Sequence, residues 1–245
     1  MKRFALLVII FISINIYSQD NIYTIDTLKI KSEILQEDRT AIIYKPKDIS
    51  YADSVTFLYL LEGENSNYIY REIRNRFKDS IPRLIVVGIV NPERRRDMLY
   101  IHGADNFLEF IGSELIPAVE KDYRTSMRIL HGHSFCGSFT VYALINKPDY
   151  FDCYLASSPI PLIHMVEKEH YINIDNLSTG KIRFYFSSGS KDMKQVRKWS
   201  AILRGNLEGV KFRNLTWQSK IFEGKNHFDI YMDALFWDLS HLIQK

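Results

Sequence analysis

Cysteine is almost absent from this sequence: Cys136 and Cys153 are the only two in 245 residues. Two cysteines make no disulfide scaffold, and with no CxxC pair or Cys/His cluster there is no zinc-site pattern. A dominant charge is missing too. The formal net charge is only +3, which gives no electrostatic case for a nucleic-acid partner. No internal repeat, low-complexity segment or linker composition is present. Hydrophobic residues at 46% and charged residues at 25% exclude a disordered or collagen-like chain. What is there in quantity is aromatic: 15 Tyr and 15 Phe, ample for a sizeable core. The length suits one large domain or two small ones.

The unbroken apolar run Phe4 to Ile12 follows Lys2 and Arg3, and polarity returns at Ser13, Asn15 and Ser18-Gln19-Asp20. The run is about half of the roughly 20 residues a spanning helix needs. This is the three-part pattern of a secretory signal peptide over residues 1–18, with cleavage expected after Ser18. No cysteine lies near that point to carry a lipid. The mature domain is then 19–245, close to neutral, secreted or periplasmic, with no stable membrane insertion.

The rest alternates strand and helix. Ile22 to Ile34 and Thr40 to Tyr44 read as a hairpin around Gln36-Glu37-Asp38. Val55–Leu61 (VTFLYLL) and Leu84–Val90 (LIVVGIV) are continuous apolar runs, as in strands buried on both faces. Met127–Leu130, Phe151–Ala156, Ile182–Phe186 and Leu215–Phe222 complete the strands. Phe107, Ile111, Leu115 and Ala118 mark one helix face; Val196, Trp199, Leu203 and Leu207 mark a second. Tyr231, Ala234, Leu235 and Leu242 mark a third. Alternating strands and helices imply a mostly parallel central sheet covered on both faces.

The chemistry concentrates in Met127-Arg-Ile-Leu-His-Gly-His-Ser-Phe-Cys-Gly137. A strand runs through Gly132-His133-Ser134-Phe135-Cys136 into an apolar helix from Ser138 to Ile145. A serine between a buried strand and a helix is the setting of a nucleophile elbow, which needs small residues two before and two after it. Gly132 meets the first demand. Cys136, followed by Gly137, stands at the second. The helix start presents the Phe135 N–H to an oxyanion. The same serine would also suit an ordinary strand-to-helix turn as N-cap.

A serine needs a positioned base. Of the seven histidines, His227, in the loop after the last strand, fits the chain order Ser, acid, His. His133, adjoining the serine, is the rival. Asp192, in the turn after Ile182–Phe186, is the candidate acid, though Asp there also suits a helix N-cap; Glu223 and Asp175 are the reserves. The second oxyanion donor is expected at Gly63 or Glu64, after the strand Val55–Leu61.

Several blocks together resemble the putative-esterase branch of the α/β-hydrolase superfamily, with its esterase D-like and enterochelin esterase-like proteins. They are Phe57–Glu64 (FLYLLEGE), Val87–Asp97 (VGIVNPERRRD), Phe107–Thr125 with its FLEFIGSELIP helix and YRT end, and Gly132–Gly137 (GHSFCG). The resemblance runs from about residue 24 to the end. It implies an α/β-hydrolase fold, Ser134 as nucleophile, His227 as base and Asp192 as acid. It also implies that Arg94, Arg96 and Asp97 either pin the active-site rim or meet an anionic or catecholate substrate. Two departures stand out. Cys136 replaces an elbow glycine, and Ser157–Leu162 lacks the two tryptophans of the family's corresponding segment. The expectation is an exported serine carboxylic-ester hydrolase that takes a small-molecule ester and needs no metal or organic cofactor. An acyltransferase of the same fold and a non-catalytic siderophore- or glycan-binding relative are the alternatives.

Overall fold

A computed structural model of the protein describes residues 23–50, 53–77, 80–81, 83–99, 102–161 and 180–243. The expected signal segment 1–18, the reserve acid Asp175, His164, His170 and Leu162 lie outside them.

Two of the apolar runs fold as strands, as read. VTFLYL is β3 (Ser54–Leu60) and LIVVGIV is β4 (Leu84–Val90). Ahead of them, β1 (Tyr23–Ser32) and β2 (Glu37–Pro46) form an antiparallel hairpin. Its turn is Glu33–Gln36, earlier than Gln36–Asp38, with Gln36 taking φ 56°. The carboxylate of Glu114 accepts the N–H groups of Glu33 and Ile34 and so selects this turn. The remaining strands are β5 (Arg124–His133), β6 (Cys153–Ser157), β7 (Ile182–Gly189) and β8 (Leu215–Phe222). The eight form one sheet in the order β1-β2-β4-β3-β5-β6-β7-β8. β2 meets β4 antiparallel, and every pair from β4 to β8 is parallel.

Alternate side chains of the central strands feed two apolar layers. Phe57, Tyr59, Ile85 and Val87 face one side, with α3 (Ala104–Phe110), α4 (Ile116–Glu120), α5 (Phe135–Asn146) and α6 (Lys194–Leu207). Leu58, Leu60, Val86 and Ile129 face the other, with α1 (Ser66–Phe77) and α7 (Tyr231–Ile243). α2 (Arg94–Met98) is one short turn after β4. A π turn over Ile111–Leu115 joins α3 to α4, and in the helix that follows Val119 is buried while Ala118 is half-buried. Among the described residues, no helix is long and apolar enough to cross a membrane. This is the α/β-hydrolase fold expected from the sequence.

β3 has β4 on one side and β5 on the other, so the β3-to-β4 and β4-to-β5 crossovers run in opposite directions along the sheet. The carboxyl ends of β3 and β5 therefore flank a topological switch point, where open α/β sheets place their ligands.

Gly88 shows why LIVVGIV carries a glycine. A Cβ there would lie 2.4 Å from Ser66 Oγ and 2.5 Å from Ser66 Cβ, where α1 starts. Gly205, exposed in the last turn of α6, has nothing within 4 Å of its would-be Cβ. Gly88→Ala is expected to lower the urea-unfolding free energy by about 1–3 kcal/mol through overpacking. Gly205→Ala is expected to raise it by about 0.5–1 kcal/mol, the helix preference of alanine over glycine.

Candidate active site

Ser134 stands between β5 and α5 with φ 56° and ψ −117°. A non-glycine residue there is strained, so its surroundings must hold it. Its N–H donates to Ser157 O at 2.8 Å, tying the turn to β6. A Cβ on Gly132 would lie 2.4 Å from the Cys136 backbone, and one on Gly137 would lie 2.8 Å from Ser157 O. The helix thus crosses both the strand it leaves and the neighbouring strand at backbone distance. Cys136 itself is directed elsewhere: it is buried, with Sγ 3.8 Å from Leu61 O.

The structure brings Ser134, His227 and Asp192 together. His227 Nε2 lies 2.8 Å from Ser134 Oγ, and His227 Nδ1 lies 2.8 Å from Asp192 Oδ1. The loop carrying His227 is fixed from both sides. Lys225 O accepts the Lys191 N–H at 2.9 Å, and Asn226 Oδ1 accepts the N–H groups of Phe228 and Asp229. Gly189 admits the loop, since a Cβ there would sit 2.1 Å from Lys225 O.

Asp192 is buried. Burial alone would raise its pKa, but hydrogen bonds from His227, Ser158 and the Met193 N–H outweigh burial and hold it below the ordinary value. Ser158 Oγ donates to Oδ2 at 2.5 Å and Met193 N–H to Oδ1 at 2.8 Å. Sequence reasoning missed Ser158. Its partner lies 34 residues away, and nothing local marks it. Glu223, the reserve acid, instead meets Ser190 Oγ at 3.0 Å on the surface.

His133, the rival base, has Nδ1 3.0 Å from Ser157 Oγ, and its ring centroid lies 4.8 Å from that of His227. Burial, with His227 nearby, pushes its pKa down to about 4. It is therefore a neutral wall of the site at neutral pH.

The loop after β3 lies against the elbow. Leu61 N–H donates to His131 O at 3.1 Å, and Glu62 Oε1 accepts the His133 N–H at 2.6 Å. A Cβ on Gly63 would fall 2.4 Å from the Ile89 backbone, so only glycine turns here. Glu64 Oε1 accepts the Asn91 N–H at 3.2 Å and its Oε2 pairs with Arg94 Nη2. The Phe135 N–H opens α5, where first-turn donors have no intrahelical acceptor.

The arginine-rich segment divides. Arg94 braces Glu64 beside the site. Arg96 pairs with Glu37 at 2.5 Å and with Asp97 at 2.7 Å. Asp97 is only 2% exposed and also holds the buried Arg39. Arg96 and Asp97 thus anchor the segment to β2. Among the described residues, no cluster of three or more His, Cys, Asp or Glu is arranged to hold a metal ion.

The profile of the "Putative esterase" family matches residues 32–242. The chain belongs to this family. It is 31% identical over 94 residues to the ferri-bacillibactin esterase BesA of Bacillus subtilis, covering 36% of this chain and 32% of that protein. The matches to curated relatives span a third or less of those relatives' length. Among solved structures it is similar to an IroE-like serine hydrolase from Shewanella oneidensis, with a TM-score of 0.79 and 22% identity over 90% of this chain and 80% of that one. It is also similar to the siderophore hydrolase EstA of Aspergillus nidulans, with a TM-score of 0.74 and 21% identity over 99% of both chains. These likenesses show the shared fold.

Both cysteines are free and buried, and they belong to different apolar layers: Cys136 to that of α5, Cys153 to that of α7. Burial pushes both thiols up. The native protein is expected to react slowly with a thiol reagent. Denatured without reductant, it should release two free thiols; finding none would show a disulfide.

His131 is fully buried, and neither ring nitrogen has a hydrogen-bond partner. Burial, then His133, pushes its pKa from 6.5 down to about 3. The unfolded chain therefore binds a proton that the folded chain refuses between those values, so stability falls as pH drops from about 6.5 toward 3. His131→Leu, apolar and of similar volume, is expected to flatten that slope in urea titrations at stepped pH.

Proposed function

We propose that this protein is an exported serine carboxylic-ester hydrolase that works through an acyl-enzyme on Ser134. The observation that carries the reading is the hydrogen-bond chain Ser134–His227–Asp192, with both links at 2.8 Å. His227 Nε2 takes the Ser134 proton as Oγ bonds to the acyl carbon. Asp192 fixes the imidazole tautomer and stabilises the imidazolium. The Phe135 N–H and the turn at Gly63–Glu64 receive the oxyanion. The tetrahedral centre collapses, the C–O bond breaks, and the alcohol leaves with the proton from His227. Water, deprotonated by the same nitrogen, then attacks the acyl-enzyme, and the acid departs as Oγ recovers its proton. Export rests on the charged start and apolar run of residues 1–18.

We take the substrate class to be siderophore-type esters, in line with the activities named for the relatives. The mouth of the site supports an aromatic, bulky ester. Phe228, next to His227, is 84% exposed with its ring 5.5 Å from the imidazole. Met193, next to Asp192 in sequence, is also exposed.

Ser134→Ala is expected to fold and to lose p-nitrophenyl acetate turnover by at least about 10³-fold, the scale of a lost nucleophile. Retention of more than a tenth of wild-type turnover would overturn the assignment. A panel of simple acyl esters, catecholate triesters and hydroxamate esters then ranks the substrate by kcat/KM. If the wild-type protein binds these and cleaves none, it is a binding relative.

A further inference from the structure

Glu62 lies outside the Ser134–His227–Asp192 chain, yet it touches both walls of the expected oxyanion hole. By sequence it immediately precedes Gly63, where the second donor turn begins. By contact its Oε1 accepts, at 2.6 Å, the N–H of His133, which immediately precedes Ser134. One carboxyl therefore bridges two segments 71 residues apart. It is only 7% exposed, and its second oxygen is buried with no partner. Burying a carboxyl this way is costly unless something holds it, and a packing role would be met more cheaply by an apolar side chain.

The groups facing it come from each element around it. Arg94 of α2, Cys136 of α5 and the backbone N–H of His133 on β5 all act on its charge. Tyr231 of α7 feels Glu62, Cys136 and Arg94 in turn, and its hydroxyl is buried without a partner. Arg94 is held by Glu64 through one nitrogen, while its Nε is buried and unpartnered.

We propose that Glu62 is a positioning residue: its carboxyl clamps the Gly63 turn to the nucleophile elbow, so that donors from both segments converge on one oxygen. The inference rests on the ester-hydrolysis reading. The two donors come from separate loops, and a misplacement of about 1 Å costs on the order of 10²-fold in rate. A lost oxyanion donor costs about 10²–10³-fold in kcat. The clamp also has a proton to lose. Burial pushes the Glu62 carboxyl up to about 7, against the pull of the His133 N–H, the Cys136 thiol and Arg94. Protonation weakens the acceptor, so the clamp loosens as pH falls through neutrality.

Glu62→Gln keeps an acceptor oxygen and cannot titrate; Glu62→Ala removes the clamp. For Glu62→Ala we expect kcat for p-nitrophenyl acetate to fall about 10²-fold, with KM within about threefold. Glu62→Gln should recover kcat to within about tenfold of wild type and lose the ionisation near pH 7 from its pH profile. A reading independent of turnover is the His133 backbone amide resonance of ¹⁵N-labelled protein. It should move with pH near 7 in wild type, and that component should vanish in Glu62→Gln. Glu62→Gln as impaired as Glu62→Ala, a defect confined to KM, or an amide titration unchanged by Glu62→Gln would each overturn the clamp. If Glu62→Ala does not fold, the pH profile and amide titration of Glu62→Gln decide alone. If wild type cleaves no ester, the hydrolase reading falls, and the amide titration still decides whether this carboxyl holds the elbow.

Discussion

Ser134 holds φ 56° and ψ −117°, a conformation that costs a non-glycine residue about 1–3 kcal/mol, and much of the surrounding structure serves to impose it. The Ser134 N–H is drawn to Ser157 O on β6. Gly132 lets the first turn of α5 fall back onto the strand, and Gly137 lets it pass the end of β6. The strain is thus distributed over contacts among β5, β6 and α5. It exposes one hydroxyl at the carboxyl edge of the sheet, where the loops after β7 and β8 can reach it.

Those loops are held by contacts among themselves. Gly189 gives Lys225 backbone room, Lys191 pairs with Lys225, and Asn226 closes the turn beyond. The result is a histidine fixed between a hydroxyl and a carboxylate before any substrate arrives. The electrostatics agree with that arrangement. Asp192 is kept ionised by the hydrogen bonds it accepts despite burial, while burial keeps His131 and His133 neutral near neutral pH. A second imidazolium beside His227 would compete for the same carboxylate, so a neutral His133 leaves the charge on Asp192 to one partner.

How much of this was legible depends on the range of the interaction. The bounds of β4 and β8 match the sequence reading: β4 is an unbroken apolar run that declares its own ends, while β8, LTWQSKIF, mixes apolar and polar residues. The elbow was legible because strand, small residues and helix lie within a dozen positions. The order Ser, acid, His then pointed to Asp192 and His227, which the fold brings into contact. α1 escaped notice: its buried apolar positions are few, Ile69, Tyr70 and Ile73 among charged neighbours, so no wide apolar stripe appears. Ser158 and Glu62 were hidden for another reason. Their partners lie 34 and 71 residues away, and a serine or glutamate carries no local sign of what a neighbouring strand will offer it.

Cys136 shows what the elbow pattern demands physically. Read as a string, the motif asks for glycine two residues after the serine. In space, the demand falls wherever the helix meets foreign backbone. Here that is Gly137, 2.8 Å from Ser157 O at its would-be Cβ. One residue earlier the side chain turns into the gap between α5 and the loop after β3, where the thiol meets Leu61 O and the Glu62 carboxyl. A small polarizable side chain fills that gap without adding a charge. The departure from the pattern is then a change in what packs between α5 and the loop after β3, and the path of the backbone through the elbow is unaffected. The same gap separates the two segments that would supply the oxyanion donors. The identity of residue 136 therefore bears on their spacing, which links the packing of one buried atom to the geometry of the site.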